Sequence, residues 1–376
     1  MALQHMPTLA NVLARETRHA DLYDRLPDGR LRCYACGHCC PLPDGAVGVC
    51  KVRFNRGGRL YVPYGYVGGV QIDPVEKKPF FHAHPGALAY SFGMLGCDLH
   101  CSYCQNWVTS QALRDPKAIA QPLSASPGQL ADAAVESGAQ IVVSTYNEPL
   151  ITSEWAVAVF EEVRGRGLMT GFVSNGNGTP QVLAFIRPWL DLYKFDLKSF
   201  DDRHYRQLGG RLDPILRSIR DIHASGLWLE IVTLLISGFN DSPDELARLT
   251  SFIAGISPDI PWHVTAYHQD YRMHDAPNTT ADMLVAAAAI GQRSGLRYVY
   301  AGNLPGQVGD LENTRCHACH ALVIERFGYL VRSYRVTAEG ACPECGVSIP
   351  GRWAPAFGGQ LSSRPYVPDR RRLRVL

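Results

Sequence analysis

The stretch Leu88-Ala89-Tyr90-Ser91-Phe92-Gly93 runs, across Met94 and Leu95, into Gly96-Cys97-Asp98-Leu99-His100-Cys101-Ser102-Tyr103-Cys104. An apolar strand is followed at once by three cysteines in the spacing C-x3-C-x2-C. Iron–sulfur clusters are held by cysteine thiolates, usually four. This run supplies three, and no neighbouring cysteine completes it. A cubane held here keeps one iron free of protein, as catalytic zinc sites keep an open position for the reacting species. The competing reading is a zinc ion with His100 as fourth ligand, although zinc knuckles pair cysteines as C-x2-C and need a second pair nearby.

Outward from this stretch, further apolar runs read as buried strands at Ile141–Tyr146, Leu168–Ser174, Leu192–Leu197, Leu227–Ile236, Trp262–Tyr267 and Arg297–Ala301. Helical segments lie between them. Ser126-Pro127-Gly128-Gln129 is a capping-box pattern with Pro at the first helical position, and Gly138 closes that helix. Ser242-Pro243-Asp244-Glu245 repeats the pattern, and Gly226 and Gly295 stand where C-terminal caps belong. Alternating helices and near-continuous apolar strands predict an α/β fold with a parallel sheet, coiled into a full or partial (β/α) barrel over residues 86–312.

The chain has 376 residues, 46% hydrophobic and 19% charged, enough to bury a large core and too apolar for disorder. Its net charge of +2 gives no global reason to expect a nucleic-acid or membrane partner. The local exception is the stretch Arg364–Leu376, with five arginines; within the tail 357–376 it reads as a solvated terminus or as a contact for RNA or acidic protein. No basic segment followed by an apolar core opens the sequence, and no apolar run approaches the roughly 20 residues that span a bilayer. The twelve cysteines fall in three groups, at 33–50, 97–104 and 316–345. Tight clusters in a large chain without a signal sequence bind metal more often than they form disulfides. The expectation is a reduced, cytoplasmic protein with three metal-binding regions.

C-x3-C-x-aromatic-C after a first barrel strand, with Tyr103 in the aromatic place, resembles the radical S-adenosylmethionine (SAM) superfamily. The resemblance implies a [4Fe–4S] cluster on Cys97, Cys101 and Cys104, with SAM chelating the open iron. It implies one-electron cleavage of the sulfonium to methionine and a 5′-deoxyadenosyl radical, which takes hydrogen from a substrate; the cofactor carries the chemistry and the protein orients it. Thr145-Tyr146-Asn147-Glu148-Pro149 stands where the family has Gly-Gly-Glu-Pro. Glu148 is thereby matched to the SAM ammonium, while Tyr146 and Asn147 replace the glycines; its other reading is an acid at a helix start. Ser174-Asn175-Gly176 resembles the Thr-Asn-Gly of glycyl-radical activating enzymes, and Asp196-Leu197-Lys198 their Asp-x-Lys, which the resemblance sets around the SAM carboxylate; a plain salt bridge is the alternative. Residues two apart on a strand face one side, so Asp196 and Lys198 both fit the barrel mouth. Ile236–Asp241 resembles the adenine-side loop, and His263 and His268 are weaker candidates.

Asp73-Pro74-Val75-Glu76-Lys77-Lys78-Pro79 with His82, Pro85-Gly86, Cys104-Gln105-Asn106-Trp107 and Val299–Asn303 resembles the radical SAM component of the AmmeMemoRadiSam system, similar to pyruvate formate-lyase activating enzyme. That resemblance implies Memo-like and AMMECR-like partners, a small-molecule or RNA substrate, and an electron donor such as flavodoxin or ferredoxin; a protein glycine is the alternative target. Cys316-x2-Cys319 and Cys342-x2-Cys345 are spaced close to a zinc ribbon over residues 313–356, a closed structural site, with an iron centre or auxiliary cluster as the alternative. Cys33, Cys36, Cys40 and Cys50, in a module over residues 1–85, fit zinc or an auxiliary Fe–S cluster, with Cys39 left over. Lys77 and Lys78 are candidates to steer an anionic substrate or partner, though exposed lysines are more often merely solvated. A non-enzymatic zinc protein is the rival from another class, but it leaves the three-cysteine set and the polar strand ends unexplained.

Overall fold

A computed structural model describes residues 9–353. Eight strands form one sheet whose spatial order follows the chain: β1 (Gly69–Pro74), β2 (Leu88–Gly93), β3 (Ile141–Ser144), β4 (Met169–Ser174), β5 (Leu192–Asp196), β6 (Trp228–Leu235), β7 (Trp262–Ala266) and β8 (Val299–Gly302). β2 to β8 are parallel throughout, while β1 runs antiparallel to β2. β1 and β8 each pair on one side only, so the sheet stays open as a partial barrel. The seven parallel strands are the seven apolar runs. They read as continuous runs because both faces are covered: every residue of β3 and β7 is buried.

Each crossover from β2 onward carries a helix: α1 (Pro127–Glu136), α2 (Ser153–Gly165), α3 (Pro180–Ile186), α4 (Leu212–Ala224), α5 (Pro243–Ile256) and α6 (Ala281–Arg293). α2 shows how they are fixed. Trp155, Ala156, Val159, Phe160 and Val163 recur at helical spacing and are all buried. Phe160 meets Phe92 of β2 and Phe172 of β4 at ring-centroid separations of 6.1 and 5.7 Å. Each such side chain contributes about 1.5–3 kcal/mol.

The helix ends are largely as expected. Ser126 and Gln129 form the reciprocal capping box, and Gly138, Gly226 and Gly295 all have positive φ. Ser242 caps α5 through the Glu245 N–H, but the Glu245 carboxylate does not return the bond. It accepts instead from Ser199 Oγ and Phe200 N, at 2.5 and 2.7 Å, and so ties α5 to the loop after β5.

Around the sheet, the segment before β1 folds as short antiparallel strands, Thr17–His19 with Arg59–Pro63 and Phe54–Arg56, and Tyr23–Arg25 with Leu31–Cys33 and Pro41–Leu42. After β8 comes a three-stranded antiparallel unit: β9 (Thr314–Arg315), β10 (Leu322–Phe327) and β11 (Leu330–Tyr334). The arginine-rich stretch 364–376 lies outside the described residues. Among those that are described, no helix is long and apolar enough to cross a membrane.

Candidate active site and metal centres

Parallel strands deliver their C-terminal ends to one rim, and a cavity of about 500 Å³ opens there. Cys101, Tyr103 and Cys104 line it from the loop after β2, Thr145 and Tyr146 from just past β3, Lys194 and Asp196 from β5 with Lys198 just beyond it, and His263 and Thr265 from β7. Of the residues expected at the site, Cys101, Cys104, Tyr103, Asp196, Lys198 and His263 are thus brought together. His268 is not; it is exposed beyond β7, its ring beside Gln269 O.

The cysteine loop is held from two directions. Asp98 is fully buried and accepts from Asn175 Nδ2 and Asn177 Nδ2, each at 2.7 Å, which fastens the loop to the end of β4. Leu99 N donates to Cys97 Sγ at 3.4 Å, and Cys104 Sγ lies 3.2 Å from Ser110 Oγ. Leu99, Leu208, Ile236 and Tyr267 form an apolar shell around the three cysteines. Burial pushes the Cys101 thiol up to about 11, and burial with Asp98 pushes Cys97 up as well. Free thiols here keep their protons, whereas a coordinated iron takes the thiolate outright. Three sheltered thiols with a cavity on the open side fit a cluster one protein ligand short. The His100 ring packs over Gly209, where even a Cβ would approach within 2.3 Å; among the described residues neither it nor the sulfurs of Cys97, Cys101 and Cys104 are drawn together as tightly as the four C-terminal cysteines.

Lys194 was not among the expected residues. It is buried on β5 and ion-pairs with Asp196, which also faces Lys198 Nζ at 3.5 Å. One carboxylate thus lies between two ammonium groups. Burial alone pulls the Lys198 ammonium down, but Asp196, with Cys101 and Tyr103 nearby, holds it well above the usual lysine range.

Glu148 lies behind this wall. Its Oε1 accepts from Leu150 N (3.0 Å) and Ser174 Oγ (2.6 Å), and Oε2 from Asn175 N (2.8 Å). Burial first, then Asp98, pushes its carboxyl up to about 8. Oε1 thus accepts two donors and Oε2 one, which leaves one acceptor site of the carboxylate unfilled by these bonds. Ser174 receives Tyr193 OH and Gly176 N, so its hydroxyl is also committed. Tyr146, at the first replaced glycine, takes φ +70, so a bulky residue adopts the backbone conformation that a glycine would supply.

Cys316, Cys319, Cys342 and Cys345 bring their sulfurs within 4.8 Å of one another, the one such group among the described residues. Cys316 and Cys345 lie 3.6 Å apart, as do Cys319 and Cys342. A tetrahedron with metal–sulfur bonds of ~2.3 Å has edges of about 3.8 Å, so the set fits one metal ion. The knuckles turn at His320 (φ +60) and Gly346 (φ +75). The N-terminal cysteines are packed more loosely. Gly48 lies against both Cys40 and Cys50, and Cys39 turns at φ +44 with its thiol towards Cys36 O. This module touches the cysteine loop through His38 Nε2 to Asp98 O (3.1 Å) and the loop after β4 through Gly37 N to Asn177 O (2.8 Å).

A cavity at the ends of parallel strands, beside three buried or half-buried cysteines, is the place where a barrel enzyme of this class would carry its cofactor. The comparisons agree. Residues 93–250 match the Radical SAM superfamily. The uncharacterized protein MJ0808 of Methanocaldococcus jannaschii is 31% identical over 335 residues, 88% of this chain and 98% of that one. The pyruvate formate-lyase-activating enzyme of Staphylococcus aureus is 28% identical over 198 residues, 49% of this chain and 76% of that one. Streptococcus suis SuiB bound to S-adenosylmethionine matches 62% of this chain and 53% of its own, at 14% identity and a TM-score of 0.45. The chain belongs to the radical SAM superfamily, in one family with the Methanocaldococcus protein. It is accordingly an enzyme that uses SAM and a [4Fe–4S] cluster for radical chemistry.

Proposed function

We propose that Cys97, Cys101 and Cys104 hold the cluster and that the wall formed by Tyr103, Lys194, Asp196 and Lys198 receives SAM. The observation that carries this is their convergence: two of the three thiols and the Lys194–Asp196–Lys198 triplet line one cavity at the strand ends. A cluster held by these three cysteines would supply the one-electron reduction that splits the C5′–S bond of SAM into methionine and a 5′-deoxyadenosyl radical able to take a hydrogen atom from substrate. The chain's own work is positional. Asp196 orients the two lysines, which present charge-assisted donors to a carboxylate. The Asn175–Asp98–Asn177 bonds fix the cysteine loop. Glu148 sets the ends of β3 and β4, and the ammonium role expected for it would use the remaining acceptor site on Oε2. The apolar shell excludes water from the cluster.

In this reading the substrate is a small molecule or an RNA, the partners are Memo-like and AMMECR-like proteins, and a flavodoxin- or ferredoxin-type donor supplies the electron. The resemblance to the AmmeMemoRadiSam component supports this. The alternative target, a glycine of a glycyl-radical enzyme, is favoured by the similarity to the staphylococcal activating enzyme. The C-terminal four cysteines take zinc as a closed structural site. The N-terminal Cys33, Cys36, Cys40 and Cys50 take zinc or an auxiliary Fe–S cluster.

The test is anaerobic. Reconstituted, reduced protein is given SAM, 5′-deoxyadenosine is measured by chromatography, and iron and zinc are counted on the same sample. Product is expected from the wild type and none from Cys101→Ala, which should lose cluster iron yet retain the C-terminal metal. A wild type that holds zinc but no iron and makes no product would overturn the assignment.

A further inference from the structure

A second lysine–aspartate–lysine triplet faces the same cavity. On β1 and the turn that follows it, Asp73 Oδ1 accepts from Lys77 Nζ and Oδ2 from Lys78 Nζ, both at 2.8 Å. Lys78 is buried, and its ammonium also donates to Tyr146 OH at 3.0 Å and lies 5.0 Å from the centroid of that ring. Lys77 and Lys78 both line the cavity. β1 and β5 are separated by three strands, and Asp73 pairs with Ala89 at the start of β2, so this triplet enters the cavity from the end of the sheet opposite the cysteine loop. The charge count is simple. Four ammonium groups meet two carboxylates, and the remaining buried acid at this wall, Glu76, is paired with Arg326. The cavity therefore carries a surplus of two positive charges. The surplus on β5 lies beside Cys101, where the SAM carboxylate would be received in the proposed reading. Asp73 compensates the buried Lys78, and the surplus positive charge falls on Lys77, which lines the cavity with a side chain 43% exposed and so open to a ligand.

We infer that Lys77, Lys78 and Tyr146 form the subsite for an oxyanion, a carboxylate or phosphate group, on the substrate whose hydrogen is abstracted. This rests on assigning the β5 triplet to SAM. Tyr146 explains why the motif departs from glycine here: its hydroxyl orients Lys78 towards the cavity at the expense of a left-handed backbone. Asp73 tunes the site, holding two ammonium groups together while leaving one positive charge for the ligand.

The test titrates anaerobic, SAM-saturated holoenzyme by calorimetry with inorganic phosphate and, separately, with succinate, at constant low ionic strength. Saturable binding of one probe is expected, and which one identifies the group. Lys78→Met should weaken that binding by about tenfold or more, and Asp73→Asn, which removes the offsetting carboxylate, should tighten it severalfold. A residue with only a structural role would not give opposite signs. No saturable binding of either anion, or affinities that fail to move in opposite directions, overturns the inference. The 5′-deoxyadenosine assay on the same samples separates this failure from failure of the SAM assignment.

Discussion

Gly176 shows how tightly single residues constrain the cluster loop. It turns the chain after β4 at φ +69, and a Cβ there would lie 1.9 Å from the ring of Phe195, itself fully buried on β5. The ring has no room to yield. Gly176→Ala combines left-handed strain of about 1–2 kcal/mol with overpacking of about 1–3 kcal/mol. Chemical unfolding should show a loss of about 2–5 kcal/mol. Because Asn175 carries the bond to Asp98, iron loading should fall as well; a variant within 0.5 kcal/mol of wild type would refute this account. Much of the site is legible at this scale because its cysteines are contiguous in sequence. The partners of Asp98 are not: 77 and 79 residues separate it from Asn175 and Asn177, and nothing local marks it as their acceptor. Lys194 was legible in principle, since it shares the period-two face of Asp196 and Lys198, but an apolar run concealed it. Tyr146 carries no sequence signal of positive φ, because bulky residues rarely adopt it.

At the scale of elements, the parallel strands were readable because burial on both faces leaves nearly unbroken apolar runs. β1 was not. It is an antiparallel edge strand, mostly half-buried, whose sequence mixes Gly, Gln and Asp with Val and Ile. Its register with β2 brings the β1–β2 connection over the strand ends opposite the cysteine loop, and His82 is the pin of that connection. His82 is wholly buried, with Nε2 2.6 Å from Tyr300 OH and Nδ1 2.7 Å from Pro350 O. Burial pulls its pKa down to about 4, against the opposing effect of Glu230. The folded protein therefore refuses a proton that the unfolded chain accepts below pH ~6.5. More protons bind to the unfolded state between about pH 6.5 and 4, so stability falls on acidification through that window. His82→Gln removes this dependence. Its stability deficit relative to wild type should shrink by about 2 kcal/mol between pH 7 and pH 5, as measured by denaturant unfolding of the metal-loaded proteins. A deficit that does not change with pH would mean that His82 titrates alike in the folded and unfolded states.

For the whole molecule, the decisive joint is between the barrel and the C-terminal cysteine unit. The sequence marks that unit by its cysteine pairs, but not its attachment, because the residue that makes it is an arginine, a type expected at the surface. Arg326 of β10 is fully enclosed. Nε lies 3.5 Å from Glu76 Oε1, Nη1 donates to Thr314 Oγ1 at 2.8 Å, Nη2 donates to Phe81 O at 2.7 Å, and the guanidinium covers the Phe81 ring. Glu76 has otherwise only the Gly86 N–H, at 3.0 Å, and burial already pushes its carboxyl up. Removing one member of a buried pair costs about 3–5 kcal/mol, whereas replacing both with neutral groups of similar volume is often close to neutral. Arg326→Met should therefore destabilise the protein by about that amount, and Glu76→Gln/Arg326→Met should recover at least half of it, a coupling that a double-mutant cycle reads directly. A single variant costing under 1 kcal/mol would show that the apolar contacts alone hold the joint. The same hairpin carries Tyr329, which lines the cavity and donates to Asn303 Oδ1 at 3.1 Å. Weakening the joint should therefore also impair the substrate side: Arg326→Met is expected to make 5′-deoxyadenosine from SAM while losing the phosphate or succinate binding assigned to Lys77 and Lys78. The metal unit would then act as a wall of the active site.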